Sequence, residues 1–238
     1  MKKYICSVAG LVCLILIFSK PLSAYEQPPE SNSVFINYDT LINKILVKKR
    51  EFRNSYYISD SVKKEVILTE IKKYLLHTIY NDLFTQWYGT SWDFNGHTTI
   101  PGNGYIACGY FVTTILKDAG FNIPRIKWAQ SASEVFIKKL APNDLKRFNN
   151  SPMLKVEEHL KKSKNELYVV GLDNHTGFIH VEGNSMKFIH SNYYEPEIGV
   201  MAQDINDGSP LTDSTYRVIG KLFSDDMIIN WLENNKYN

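Results

Sequence analysis

Hydrophobic positions along this chain change their period twice. After an apolar run at residues 5–18, residues 39–53 carry a helical pattern with Asp39 or Thr40 as its cap. A longer helix is predicted from Ser59-Asp60-Ser61 to about Trp87. Its apolar positions Val62, Val66, Leu75, Ile79 and Leu83 alternate with Lys63, Lys64, Lys72, Lys73 and Asp82. From Tyr88 to Ala107 the period disappears into Gly, Pro, Asn and Thr with embedded aromatics, which reads as a long structured loop of the functional kind. Helical spacing returns at Cys108, Phe111, Val112, Ile115 and Leu116, and Gly120 ends it. Residues 129–140 predict another helix, with Ser131 or Ser133 as its cap, and residues 141–165 are polar without a period. The last third reads as strands. Leu167–Leu172 is a buried run, while His175–Val181 and Met186–Ser191 flank the turn Glu182-Gly183-Asn184-Ser185. Thr215–Leu222 makes a fourth strand, and Asp225-Asp226 caps a closing helix through Trp231. Helices first and antiparallel strands afterwards define an α+β chain.

The apolar run changes how the rest is counted. Lys2 and Lys3 precede it, Lys20 and Pro21 break it, and Leu22-Ser23-Ala24 supplies small residues where a signal peptidase cuts. It is shorter than the roughly 20 residues of a membrane span. The expected organisation is a signal peptide at 1–24, a mobile leader and N-terminal helices at 25–87, and a core at 88–238. Export to the periplasm or medium follows, with no stable membrane association after cleavage. Removing Lys2, Lys3 and Lys20, and no acid, leaves 24 of 27 basic residues against 25 acidic ones, so the net charge moves from +2 to −1. That balance gives no support for nucleic-acid binding through a basic surface. Lys48-Lys49-Arg50 reads as a solvated helix face.

Cys6 and Cys13 leave with the signal peptide, so Cys108 is the mature chain's single cysteine and no internal disulfide framework exists. It stands at a helix start after a Gly-rich loop. Unpaired N–H groups and the macrodipole at that end favour an anion, lower a thiol's pKa and so raise its nucleophilic form. Of the six histidines, His77 and His159 read as packed or solvated, and His97 lies in the loop before Cys108. His175, His180 and His190 fall on the strand pair. His175 and His180 are five apart, so a regular strand points them to opposite faces, and only one readily faces the cysteine helix.

Asn174-His175-Thr176-Gly177-Phe178-Ile179, then Gly183, then Lys187-Phe188-Ile189-His190-Ser191 resembles the His-Val-Gly-Ile-Tyr … Gly … Lys-Phe-Ile-His-Ala hairpin of NlpC/P60 cysteine peptidases. Trp92-Asp-Phe-Asn-Gly96 and Gly104-Tyr-Ile-Ala-Cys108-Gly-Tyr-Phe-Val are similar to a divergent form of that family's nucleophile segment. The resemblance covers roughly residues 88–222. It implies a papain-like core, with the cysteine-bearing helix packed on an antiparallel sheet, carrying an N-terminal helical extension. It further implies that Cys108 is the nucleophile, that His175 is its base, and that His190 orients the imidazole. The family's Asp before the cysteine is Ala107 here, and its following Ser-Gly is Gly109-Tyr110. His175 and His190 are 15 apart, about three more than is usual in the family. A turn centred between Gly183 and Asn184 places Asn192 opposite His175, so Asn192 is the alternative third residue. Trp92, His97 and Tyr105 are candidate substrate-binding residues of the cleft.

The function the resemblance implies is exported hydrolysis of amide bonds in the stem peptides of peptidoglycan, by thiolate attack with a histidine as general base. Alternatives are a cysteine amidase or antibacterial effector with another amide substrate, and a catalytically silent protein binding a peptide or glycan on the same fold. No cofactor is implied. The chain lacks HExxH and paired Cys-x-x-Cys spacings, so no metal site is expected, and Pro101-Gly-Asn-Gly104 lacks the Lys-Ser/Thr of a phosphate loop.

Overall fold

A computed structural model describes residues 37–238. The expected signal peptide, Cys6, Cys13 and most of the leader lie outside the described residues. The described chain is α+β, with N-terminal helices followed by a six-stranded antiparallel sheet and helices packed on it.

Helix α1 (Tyr38–Ile58) is capped by Asn37, whose side chain accepts from the Asp39 N–H, so the cap lies two residues before the expected one. Helix α2 (Ser61–His77) is capped by Asp60. It runs through a π-helical turn, Thr78–Leu83, into α3 (Phe84–Trp87). Leu75, Ile79 and Leu83 are buried as expected, but Val62 and Val66 are exposed. The buried stripe of α2 starts later, at Ile67, Leu68 and Ile71, because only there does the helix lie over the core. Lys49 also departs from the solvated reading. It is buried, with Nζ donating to the Gly120 carbonyl at 2.7 Å and to Asn234 Oδ1 at 3.0 Å.

Helix α4 (Cys108–Asp118) follows the loop, then α5 (Arg125–Ala129) and α6 (Ser133–Leu140). The helix expected over 129–140 starts late, as α6, after Ala132 and without a side-chain cap, and α5 before it was not expected. The polar stretch 141–165 holds strand β1 (Leu145–Asn149) and helix α7 (Met153–Leu160). Strands β2 (Asn165–Leu172), β3 (Thr176–Glu182) and β4 (Ser185–Ser191) match their expected positions within two residues. Strand β5 (Val200–Asp204) and the short α8 (Pro210–Asp213) were not visible in the pattern. Strand β6 (Tyr216–Lys221) and α9 (Asp225–Glu233) complete the chain, with Ser224 as the α9 cap instead of Asp225 or Asp226.

The strands lie in the order β1-β6-β2-β3-β4-β5. Two separate cores sandwich this sheet. Leu167, Val169, Phe178 and Ile189 meet the helices on one face. Tyr168, Val170, Ile179, Val181 and Phe188 meet Val156 and Leu160 of α7 and Leu211 of α8 on the other. Burial on both faces explains why β2 and β3 read as continuous apolar runs instead of alternating ones.

Candidate functional site

Backbone bonds seat the loop 88–107 and thereby place Cys108. The Gly89 N–H donates to the Val200 carbonyl at 2.9 Å, Trp92 N–H to Pro196 at 2.8 Å and Ile106 N–H to Ser91 at 2.9 Å. Ser191, the residue after His190, donates its hydroxyl to the Ile106 carbonyl at 2.6 Å. Arg125 clamps the other side, donating Nη2 to the carbonyls of His97 and Thr98 at 3.0 and 2.9 Å. A segment with little secondary structure of its own is thus tied to β4, β5 and α5.

Cys108 is the first residue of α4. Ala107 holds the N-cap position with no side chain to accept a hydrogen bond, which leaves the helix-start N–H groups open. The N–H groups of Thr176, Gly109 and Cys108 act on the sulfur, and each favours the thiolate. Burial outweighs them and pushes the thiol above its ordinary value. This reverses the expectation drawn from the helix start alone, because desolvation of a thiolate exceeds what the amides return. Gly109 is needed for close packing: an added Cβ would run into the Ala129 carbonyl, where α5 approaches α4.

The strand pair brings the histidines together. Phe178 pairs with Ile189 and Glu182 with Ser185, so the turn centres between Gly183 and Asn184, as expected. Continued to its end, this register puts Asn192 opposite His175. The side chain that touches His175 is nevertheless His190, with His175 Nε2 2.9 Å from His190 Nδ1. Gly177, which the same register sets opposite His190, makes this diagonal contact possible. A Cβ there would stand 2.9 Å from His190 Cβ and 2.7 Å from the Ile189 carbonyl oxygen. Asn192 is occupied elsewhere, accepting from the Tyr194 N–H at 2.9 Å and contacting Met201 Sδ at 3.2 Å.

His190 continues the chain of contacts, with Nε2 3.3 Å from Gln203 Oε1 and its ring stacked on Phe188 at 4.1 Å. Burial pushes His175 well below the ordinary imidazole value, aided by neighbouring His190, and takes His190 down to about 3. Both rings are therefore neutral at pH 7. His175 Nδ1 is buried and has no hydrogen-bond partner, so the thiol is not bonded to it. Of His175 and His180, it is His180 whose ring faces the helices. Phe178 packs on Phe111 of α4, whereas His175 packs on Phe188 of the opposite face, and the Thr176 N–H lies toward the sulfur.

The other candidates divide. Trp92 belongs to the surroundings of His175, since Tyr193 stands 5.9 Å from Trp92 and 5.1 Å from His175. Trp92 Nε1 is buried and unpartnered. His97 and Tyr105 are exposed on the loop, where the bridge His97–Ile106 closes it, and His97 meets the edge of Tyr110. His180 lies on the helix face, stacked on Tyr80 at 3.7 Å. It borders a cleft of about 350 Å³ with Lys72, Lys73, His77 and Glu182, which none of the predicted site residues lines. Gln203, Gly177 and Tyr193 were not singled out in the sequence. The signal for Gly177 was the hairpin motif itself, whereas Gln203 sits on a strand the pattern did not disclose.

Among the described residues, no three His, Cys, Asp or Glu side chains gather as a metal site. No helix there is long and apolar enough to cross a membrane. Comparison with protein families, with curated proteins and with solved structures returns no match to this chain.

Proposed function

We propose that this protein is an exported cysteine hydrolase of amide bonds on a divergent papain-like, NlpC/P60-type core, acting on the stem peptides of peptidoglycan. One observation carries the reading. A thiol at an uncapped helix start lies against the N–H of Thr176, and the imidazole of the preceding residue has one nitrogen held by His190 and the other buried and free. The substrate class rests on the hairpin resemblance together with the expected export.

Because burial favours a neutral thiol and a neutral imidazole, the pair works by general-base catalysis and not as a preformed ion pair. The thiol proton passes to His175 Nδ1 as the sulfur bonds to the amide carbon. The carbonyl π pair moves to oxygen, where the Cys108 N–H at the helix start can donate. Collapse breaks the C–N bond, and the amine leaves with the proton from Nδ1. Water then adds to the thioester carbon, losing its proton to Nδ1; the C–S bond breaks, the proton returns from Nδ1 to the sulfur, and the acid leaves.

The desolvated thiol supports a second reading, a catalytically silent binder of a peptide or glycan in the same cleft. Purified muropeptides separate the two. The wild-type chain is expected to cleave them and Cys108→Ala to lose cleavage, while both melt alike. Cleavage by Cys108→Ala would overturn the mechanism, and binding without cleavage by wild type would favour the silent protein. Labelling of Cys108 by iodoacetamide is expected to rise with a midpoint above the free-thiol value of about 8.5. A midpoint below it would replace the general-base scheme with an ion pair.

A further inference from the structure

We propose that Gln203 is a positioning residue that selects the basic tautomer of His175 through His190. The inference rests on the hydrolase reading for its effect on rate, but its structural content is independent of it. A neutral imidazole has one N–H and one lone pair, and which nitrogen carries which is set by the hydrogen bonds it makes. Two arrangements satisfy the 2.9 Å contact between His175 Nε2 and His190 Nδ1. In one, His175 donates, which leaves Nδ1 of His175 with a lone pair. In the other, His190 donates, which puts the proton on His175 Nδ1 and removes the base.

The far end of the chain decides between them. Gln203 Nε2 lies 3.5 Å from the Gly208 carbonyl oxygen, which can only accept. The amide nitrogen therefore belongs on that side, and the carbonyl oxygen Oε1 faces His190 Nε2 at 3.3 Å. Turning the amide over would set two acceptors against each other at Gly208. Since Oε1 can only accept, His190 carries its proton on Nε2 and offers a lone pair at Nδ1. His175 must then donate from Nε2, and its Nδ1 holds a lone pair. The buried Nδ1 without a partner is this lone pair. All the hydrogen bonds run in one direction, from His175 through His190 and Gln203 to the Gly208 carbonyl.

Gln203 is held where this requires. It stands opposite Phe188 in the β4–β5 ladder, two positions from Met201, which pairs with His190. Gln203 and His190 thus share a face, on which Phe188 stacks flat against His190. Gln203 is also nearly buried, at 9% exposure, so water does not readily replace its oxygen.

The test reads the tautomers directly. In ¹⁵N-histidine-labelled full chain near pH 7.5, two-bond ring correlations should show both His175 and His190 protonated at Nε2. Gln203→Glu gives up the donor to the Gly208 carbonyl but keeps an acceptor toward His190 Nε2, and should keep both tautomers. Gln203→Met removes it, should mix the tautomers, and should lower kcat for muropeptide cleavage about 10- to 100-fold with KM unchanged. A proton on Nδ1 of either wild-type ring would overturn the assignment. So would Gln203→Met with wild-type tautomers and kcat. If Gln203→Met does not fold, the wild-type and Gln203→Glu spectra still decide. Absence of cleavage by wild type would count against the hydrolase reading alone, because the tautomers are read without it.

Discussion

His175, just before β3, and His180, within it, lie five residues apart, each 4% exposed and each held below the ordinary imidazole value by burial. Their surroundings differ in kind. His180 faces the helices and lies flat on Tyr80, a contact satisfied by ring area and indifferent to where the proton sits. His175 faces the other core and meets a second imidazole nearly at right angles, a contact that only one donor and one acceptor can make. Burial alone therefore does not mark a histidine as functional. Direction does: a hydrogen-bonded series with a free end can move a proton, and a stack cannot.

The largest expected effect breaks the comparison outright. His175→Ala should lower muropeptide kcat/KM by about 10²- to 10⁴-fold, the usual size of general-base loss. His180→Phe preserves the stack and should cleave at the wild-type rate. Equal losses in the two variants would mean that the His175 end has no special chemistry.

Next in size is the choice between His190 and Asn192. His190→Ala should cost about 10- to 100-fold in kcat by freeing the imidazole it orients. Asn192→Ala loses only its bonds to the Tyr194 N–H and Met201, about 1 kcal/mol of stability. With a chain of this size that is a drop of roughly 2–4 °C in Tm. An Asn192→Ala variant as inactive as His190→Ala would return Asn192 to the third position.

These contacts show where sequence reasoning reached and where it stopped. Cys108 at a helix start was legible because loop composition and helical period are local. The register that sets Asn192 against His175 was legible too, since Gly183-Asn184 fixes the turn. Its consequence was not, because the diagonal His175–His190 contact depends on an absent side chain at Gly177. Gln203 was out of reach. The segment between β4 and β5, with Glu195-Pro196-Glu197 inside it, sets no register, and β5 is only five residues long. The thiol's direction of shift was misjudged for the same reason: helix-start amides are visible in sequence, and the burial opposing them is tertiary. Charged Lys49 inside the core and exposed Val62 show tertiary placement overriding local pattern in both directions.

A third, smaller effect sharpens the comparison through pH. His175, His180 and His190 are all held below the unfolded value of about 6.5. As pH falls through that value the unfolded chain takes up protons first, so stability is complete above it and is lost on acidification. For His190 the loss continues down to about pH 3, its folded value. The urea midpoint should therefore fall between pH 7.5 and pH 5. His180→Phe should flatten that fall only in part, since the site pair keeps its share. A midpoint independent of pH over this range would show that the rings are not desolvated as described.

The smallest effects concern the tyrosine beside each histidine. Tyr80→Leu removes the ring under His180 and should cost about 0.5–1.5 kcal/mol, with kcat and KM unchanged. Tyr193 is only half-buried and stands between Trp92 and His175. Tyr193→Leu removes ring contacts with Trp92, His175 and Tyr194 and, whatever its effect on Tm, should raise KM several-fold by changing the surroundings of His175. Melting curves and steady-state kinetics on the two variants read both quantities. If Tyr193→Leu changes Tm and not KM, its ring packs as Tyr80 does, and the line between a stacking end and a reacting end of β3 has been drawn one residue too far.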